Sequence, residues 1–184
     1  MHVLDIVQNS IAAGANEISI HIAEDNKANT FMIRVTDNGC GMSKQMLKQV
    51  TDPYYTSRTT RKVGMGIPLF KQSAEQAGGS LEITSALGRG TVLEARFMHD
   101  HIDRPELGDI SGVLVLLIGA NPEIRFRYEH NVNDKQYVLD TNEIKEVLEG
   151  TPVSEPGVLQ FIREMIDENL VEINTGKNIY FFKR

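Results

Sequence analysis

Residues 31–42 read Phe-Met-Ile-Arg-Val-Thr-Asp-Asn-Gly-Cys-Gly-Met, and this stretch decides the fold. From Phe31 to Val35 apolar residues alternate with others, as a strand with one buried face requires. The strand then gives way to Asp37-Asn38-Gly39-Cys40-Gly41-Met42. A carboxylate at a strand end can accept a hydrogen bond from an exocyclic amine, and Gly39 and Gly41 let backbone approach a flat ligand closely. Taken alone, the segment reads equally well as a turn with two glycines.

Upstream, Glu17 to Ala23 alternates in the same way through Ile18, Ile20 and Ile22, and the polar run Asp25–Asn29 joins the two strands into a hairpin. Ahead of that, apolar residues at Val3, Leu4, Val7, Ile11 and Ala12 have helical spacing, with Gly14 as the stop. Asp5 and Asn9 lie four residues apart on this helix, hence on one face and one turn apart. An amide oxygen at Asn9 suits Mg²⁺, and a carboxylate at Asp5 can orient a water. On its own such a pair is more often merely solvated.

Downstream, residues 43–63 show no sustained period and carry Pro53, which predicts a long loop with a short helix near Lys44–Val50. Val63-Gly64-Met65-Gly66-Ile67-Pro68 leads into a helix over Pro68–Ala77. Glycines before a helix N-terminus can present N–H groups to an anion, although a plain loop-to-helix turn is the commoner meaning. After Gly78-Gly79, Ser80–Ser85 and Thr91–Phe97 form a second hairpin across Gly88 and Gly90, with the Thr91 hydroxyl entering a strand.

The remainder changes character. Residues 1–99 carry ten Lys/Arg against nine Asp/Glu, residues 100–184 nine against sixteen, and the whole chain of 184 residues has a formal charge of −6. The acidity argues against nonspecific nucleic-acid binding, which rests on neutralising phosphates. His99–Gly112 reads as a linker, with His99, His101 and Asp103 solvated rather than metal-bound. Val113–Ile118, Ile124–Tyr128 and Gln136–Leu139 are expected as strands. Asp140 with Glu143 predicts a capped helix to about Glu149. Ser154 is expected to cap a second helix to about Asn169, and Val171–Ile173 with Ile179–Phe182 to close a terminal hairpin. This has the order of a winged helix, but its acidity favours packing or partner binding over DNA. The single Cys40 excludes an internal disulfide and is expected to act as a small filler; no run is long and apolar enough for a membrane span and no signal segment is evident, so the expected location is the cytoplasm.

Taken in order, the four motifs resemble one family. Asp5-Ile-Val-Gln-Asn9-Ser10-Ile-Ala-Ala13 is similar to the Asn-containing motif of mismatch-repair ATPases, and Asp37 to Met42 to the adenine-binding motif of the gyrase, heat-shock chaperone, histidine kinase and mismatch-repair (GHKL) superfamily. Asp52 to Arg58 resembles the lid motif of sensor histidine kinases, and Gly64-Met65-Gly66 with Gly88-Arg89-Gly90-Thr91 resembles their ATP-binding domain. The resemblance covers about residues 1–98 and implies an α+β fold, a two-layer α/β sandwich with a mixed, mainly antiparallel sheet. It implies three parts: a histidine-kinase-like ATP-binding domain at 1–98, a linker at 99–112, and a small acidic α+β extension at 113–184. It further implies ATP and Mg²⁺ as cofactors, with Asn9 on the metal and Asp37, Gly39, Gly41 and Met42 around adenine. Ala13 would pack on the nucleotide, Gly64, Met65 and Gly66 would cradle phosphates, Thr91 would support adenine through water, and Arg58 would meet the terminal phosphate.

Three residues depart from the pattern. Asp5 stands where the hydrolytic members carry Glu, Ala12 where mismatch-repair enzymes carry Asp, and Lys62 where a glycine triplet usually begins. The chain also starts almost at the motif helix, so residues after 112 are expected to pack on the sheet edge or helix left uncovered. No histidine has the setting of a kinase phosphoacceptor. The expectation is therefore an ATPase or kinase domain with Asp5 as catalytic group, acting in trans on a separate protein partner, with dimerisation compatible. The competing expectation is a nucleotide-sensing module working through its extension.

Overall fold

In a computed structural model, residues 2–50 and 66–175 are described, the last without its side chain. The expected helix and first hairpin are present as α1 (His2–Ala12), β1 (Glu17–Asp25) and β2 (Thr30–Asp37). The short helix α2 (Lys44–Val50), then α3 (Gly66–Gln76) and the hairpin β3 (Ser80–Ala86) and β4 (Gly90–Met98) follow. Pro68 sits in the first turn of α3, where no intrahelical N–H is required.

Six strands make one mixed sheet in the order β3-β4-β2-β1-β5-β6, with β5 (Arg125–Val132) and β6 (Lys135–Asp140) supplied by the second half of the chain. Only β1 and β5 run parallel, with Ile18 beside Phe126 and Ile22 beside His130. The expected packing of the later residues on the sheet edge is thus strand addition against β1. Ile18, Ile20, Ile22, Phe31, Ile33, Val35, Leu93, Ala95, Phe97, Phe126 and Tyr128 are buried on one face. The opposite face carries Arg34, Glu94 and Arg96 in ion pairs and His21 near Glu129, so it is polar and the helices cover the other side.

Three expectations are overturned. Val113–Ile118 is not a strand but the middle of helix α4 (Ile110–Ala120). Asp109 Oδ1 accepts from the Gly112 N–H (2.8 Å) and caps its start, while the Asn121 N–H closes on Leu117 O (3.1 Å). Leu114, Leu117 and Ile118 are buried, and Gly119 faces Leu159 of the last helix. The outer side of this helix carries Val115 and the exposed Leu116 instead of polar residues, so no polar stripe marks it, and the apolar run cannot be told from a buried strand by period. Helix α4 therefore begins within the stretch 99–112 that was expected as a linker.

Val171–Ile173 likewise belongs to no hairpin. It lies within α6 (Pro156–Thr175), whose stripe of Ile162, Ile166, Leu170 and Ile173 packs into the core. The helix starts at Pro156, with the Glu155 carbonyl accepting from Leu159 N–H (3.0 Å), so Ser154 is not its cap. The hairpin partner Ile179–Phe182 lies outside the described residues. Asp140 does cap α5 (Thr141–Val147), accepting from Asn142 N–H (2.9 Å).

Candidate functional site

A cavity of about 270 Å³ opens where α1 passes the ends of β2 and β4, lined by Asn9, Ala13, Asp37, Gly41, Met42 and Thr91 together with Cys40 and apolar side chains such as Ile6, Val35 and Leu93. That volume is close to the lower bound for small-molecule sites, about 300 Å³. Its polar anchor is Asp37, only 8% exposed. The Ser10 hydroxyl donates to Oδ2 (2.8 Å) and the Gly39 N–H donates to Oδ1 (2.9 Å). Each oxygen keeps a second acceptor site, so the carboxylate is fixed in place while still able to receive a donor from the cavity.

The turn after Asp37 is held from three sides. Asn38 Oδ1 accepts from the N–H groups of Asn16 and Glu17 (both 3.0 Å), fastening the motif to the start of β1. Cys40 N–H donates to Ala13 O (2.9 Å) and Gly88 N–H to Cys40 O (2.8 Å). At Gly41, φ is +66° and an added Cβ would fall 2.0 Å from the Ala86 carbonyl oxygen, so this position tolerates glycine alone. Gly39 packs against Ala13, where a Cβ would meet the Ala13 methyl at 2.9 Å. Glycine here serves the close approach of chain to chain.

Thr91 borders the cavity through a contact that the sequence did not disclose. Ser85 Oγ has one hydrogen and gives it to the Gly90 carbonyl (2.8 Å), which can only accept. The 3.0 Å contact between Ser85 and Thr91 is then filled by the Thr91 hydroxyl donating, and Met42 N–H donates to the same Ser85 oxygen (2.8 Å). Thr91 is left with its acceptor pairs for the cavity. Ser10 and Ser85, which hold Asp37, Met42 and Thr91 in place, were not among the residues expected at the site. Ser10 follows Asn9 directly on the helix face that buries, and that spacing was a usable signal; nothing local marked Ser85.

The remaining predicted residues divide. Asn9 reaches the cavity rim, whereas Asp5, one turn earlier, is exposed and does not line it. Asp5 instead lies against Gly66 at the start of α3, where an added Cβ would be 3.2 Å from Asp5 Cβ, and the N-terminal end of a helix favours negative charge. Arg58, Gly64 and Met65 lie outside the described residues. Cys40 is exposed and faces the cavity rather than filling space in the core. His99 Nε2 meets Glu24 (3.0 Å), and among the described residues no three His, Cys, Asp or Glu side chains are grouped to hold a metal.

Comparison with known proteins places these features. A putative sensor protein of Shewanella frigidimarina is 30% identical over 96 residues, covering 51% of this chain and 15% of its own. The DNA mismatch repair protein MutL of Syntrophotalea carbinolica is 29% identical over 168 residues, covering 70% of this chain and 26% of its own. The chain therefore spans about a quarter or less of these relatives' length. Among solved structures, the N-terminal domain of a DNA repair protein superposes with a TM-score of 0.52 at 19% identity, over 76% of this chain and 51% of that one, a likeness of fold. The family model of histidine kinase-, DNA gyrase B- and HSP90-like ATPases matches residues 2–101, more than half of the chain, and the protein belongs to that family.

Proposed function

We propose that the protein binds ATP with Mg²⁺ in the cavity beside Asp37 and either hydrolyses it slowly or transfers its phosphate to a separate protein partner. The observation that carries this reading is Asp37 itself, buried and locked by Ser10 and Gly39 with acceptor capacity facing an apolar slot. An anionic acceptor so held selects a ligand that brings a donor, as the exocyclic amine of adenine does. Met42 and Ala13 supply apolar contact to the base and sugar, the chain at Gly39 and Gly41 approaches the ring edge, and Thr91 offers acceptor pairs to a bridging water.

Asn9 is the residue that would hold the cation. A lone amide oxygen fits Mg²⁺, which keeps most of its shell as water and phosphate oxygen. When bound, Mg²⁺ neutralises phosphate charge. Gly66 stands at the N-terminus of α3, where free N–H groups suit phosphate, and in this proposal Gly64, Met65 and Arg58 complete that end. Asp5 would orient the attacking water or acceptor hydroxyl and take its proton. Its exposure and shorter side chain make it the least constrained part of the site. The acidic extension over 113–184 and a cytoplasmic location complete the proposal; among the described residues no helix is long and apolar enough to cross a membrane.

A second reading is favoured by Asp5 lying outside the cavity lining: the domain binds nucleotide without turnover and reports it through residues 113–184. Calorimetric titration with ATP, with and without Mg²⁺, tests binding; phosphate release by the native chain and by Asp5→Ala tests chemistry. Turnover that depends on Asp5 supports the enzyme, nucleotide binding without phosphate release supports the sensor, and no binding in the presence of Mg²⁺ refutes both.

A further inference from the structure

The other end of the sheet carries a larger depression, independent of the nucleotide site. A groove of about 430 Å³ runs between the outer edge of β6, α5 and the first half of α6. Its lining is apolar, with Val138 41%, Phe161 64% and Val147 82% exposed. The charged residues of the lining are Asp140, Glu143 and Glu155, all acidic. On the groove side β6 has no partner strand among the described residues. An unpaired edge beside exposed apolar side chains is a template for an added strand.

The chain carries a segment of matching chemistry. Residues 176–184 read Gly-Lys-Asn-Ile-Tyr-Phe-Phe-Lys-Arg, with three basic residues, no acidic one, and four consecutive strand-forming side chains over Ile179–Phe182. They follow α6, whose end lies near the start of β6, since Lys135 Nζ donates to Glu172 O (3.2 Å). Nine extended residues reach about 30 Å, and Phe161 is about 21 Å back along the helix from Thr175, so distance alone permits the segment to meet its own groove.

Topology opposes that. The segment would leave α6 running parallel to β6 and would pair outside it. β4 and β5 are parallel and joined through α4, on the same face of the sheet as α6, while β6 is antiparallel to β5. A parallel strand placed outside β6 through α6 therefore has the opposite hand to the β4–α4–β5 crossover. About 98% of such crossovers are right-handed. A segment from another molecule is under no such restriction. We propose that the groove is an interface between two copies of this chain, in which residues 179–182 of each copy add to the β6 edge of the other, their flanking lysines and arginine facing Asp140, Glu143 and Glu155. Such a reciprocal exchange closes as a two-fold dimer.

The test uses full-length chains in sedimentation velocity. The native protein is expected to sediment as a dimer. Phe161→Asp, which alters only the groove, and Phe181→Ser/Phe182→Ser, which alters only the segment, are each expected to weaken association at least about 30-fold, the loss typical of an interface anchor. Circular dichroism matching the native chain ensures that folding is retained, and Phe161 is exposed enough for aspartate to be tolerated. Mixing the two variants is the decisive step: one intact groove and one intact segment remain in the heterodimer, so an equimolar mixture is expected to recover association that neither variant has alone. A monomeric native chain overturns the proposal, including one whose segment lies in its own groove. So does a dimer indifferent to both substitutions, or a mixture that stays monomeric.

Discussion

Asp37→Asn is the sharpest probe of the nucleotide reading because it changes one atom and keeps the shape. Oδ1 accepts from Gly39 N–H, so the asparagine oxygen must stay there, and the new NH₂ takes the place of Oδ2. Ser10 can accept from it, since a hydroxyl oxygen has free pairs, and the fold loses little. Toward the cavity the effect is severe: an amine donor arriving from adenine meets a donor. One hydrogen bond to a charged group, about 1.5–3 kcal/mol, is lost, and a buried donor is left facing a donor, about 1–3 kcal/mol more. ATP affinity is expected to fall by at least 2 kcal/mol, about 30-fold, with Tm nearly unchanged. Inosine triphosphate lacks the exocyclic amine and supplies the control. By calorimetry the native protein is expected to prefer ATP over inosine triphosphate by a comparable factor, and Asp37→Asn to abolish or invert that preference. An unaltered preference in the variant would refute the assignment of Asp37 to the base, and with it the orientation of ligand in the cavity.

Further outcomes follow from packing and charge. Gly41→Ala places a Cβ 2.0 Å from the Ala86 carbonyl at a φ of +66°, so the loop must shift; a loss of about 3 kcal/mol or more is expected in urea unfolding, and a loss within 0.5 kcal/mol would contradict the close approach. Asp140→Asn retains the cap on α5 but loses the Arg125 ion pair (2.6 Å), whereas Asp140→Ala loses both, so alanine is expected to cost about 1 kcal/mol more in the same experiment. Glu24 accepts from His130 (2.9 Å) and His99 (3.0 Å); chiefly the His130 hydrogen bond, against the opposing effect of burial, holds its pKa below the ordinary 4.5. A depressed carboxylate pKa contributes stability that is complete above the unfolded value and lost as pH falls through the folded one. The Tm gap between the native chain and Glu24→Gln should therefore narrow below about pH 4.5, and a gap that widens there would refute the assignment.

What the sequence disclosed followed from local chemistry. Alternation at Ile18, Ile20 and Ile22 marked β1 because one face of the sheet is polar, and Gly78-Gly79 ended α3 because the chain turns with φ +72° at Gly78. Asp37 and its glycines were legible because the strand end, carboxylate and turn are contiguous. Their partners were not: Ser85 meets Met42 and Thr91 only through strand pairing, which no local pattern encodes. At Val113–Ile118 the helical period is hidden because the outer side of α4 carries Val115 and the exposed Leu116, so both sides of the helix read as apolar. Val171–Ile173 was expected as one arm of a terminal hairpin, but Ile173 continues a stripe begun at Ile162, and packing outweighs local pattern.

The extension also bears on whether the protein senses or catalyses. A continuous set of polar contacts leads from the nucleotide motif to the groove. Asn38 binds the N–H groups of Asn16 and Glu17, Arg125 N–H binds Asn16 O, and the Arg125 guanidinium joins Glu17 (3.2 Å) to Asp140 (2.6 Å) at the cap of α5. Continuity alone does not transmit binding, because coupling requires an element with two arrangements that both sites bias. Here Glu17, Arg125 and Asp140 sit in strands, and Asn16 and Asn38 in the turns next to β1 and β2 are held by hydrogen bonds to each other and to the strand start, so the contacts brace the extension against β1. Arg125→Met is accordingly expected to lower stability while leaving ATP affinity within about threefold, below the range of about 5–150-fold that marks allosteric coupling. Linkage makes the measurement symmetric: any ligand of the groove would alter ATP affinity by the same factor as ATP alters its own. A change well above threefold in Arg125→Met would mean that α5 has a second position, and it would move the balance from enzyme to sensor.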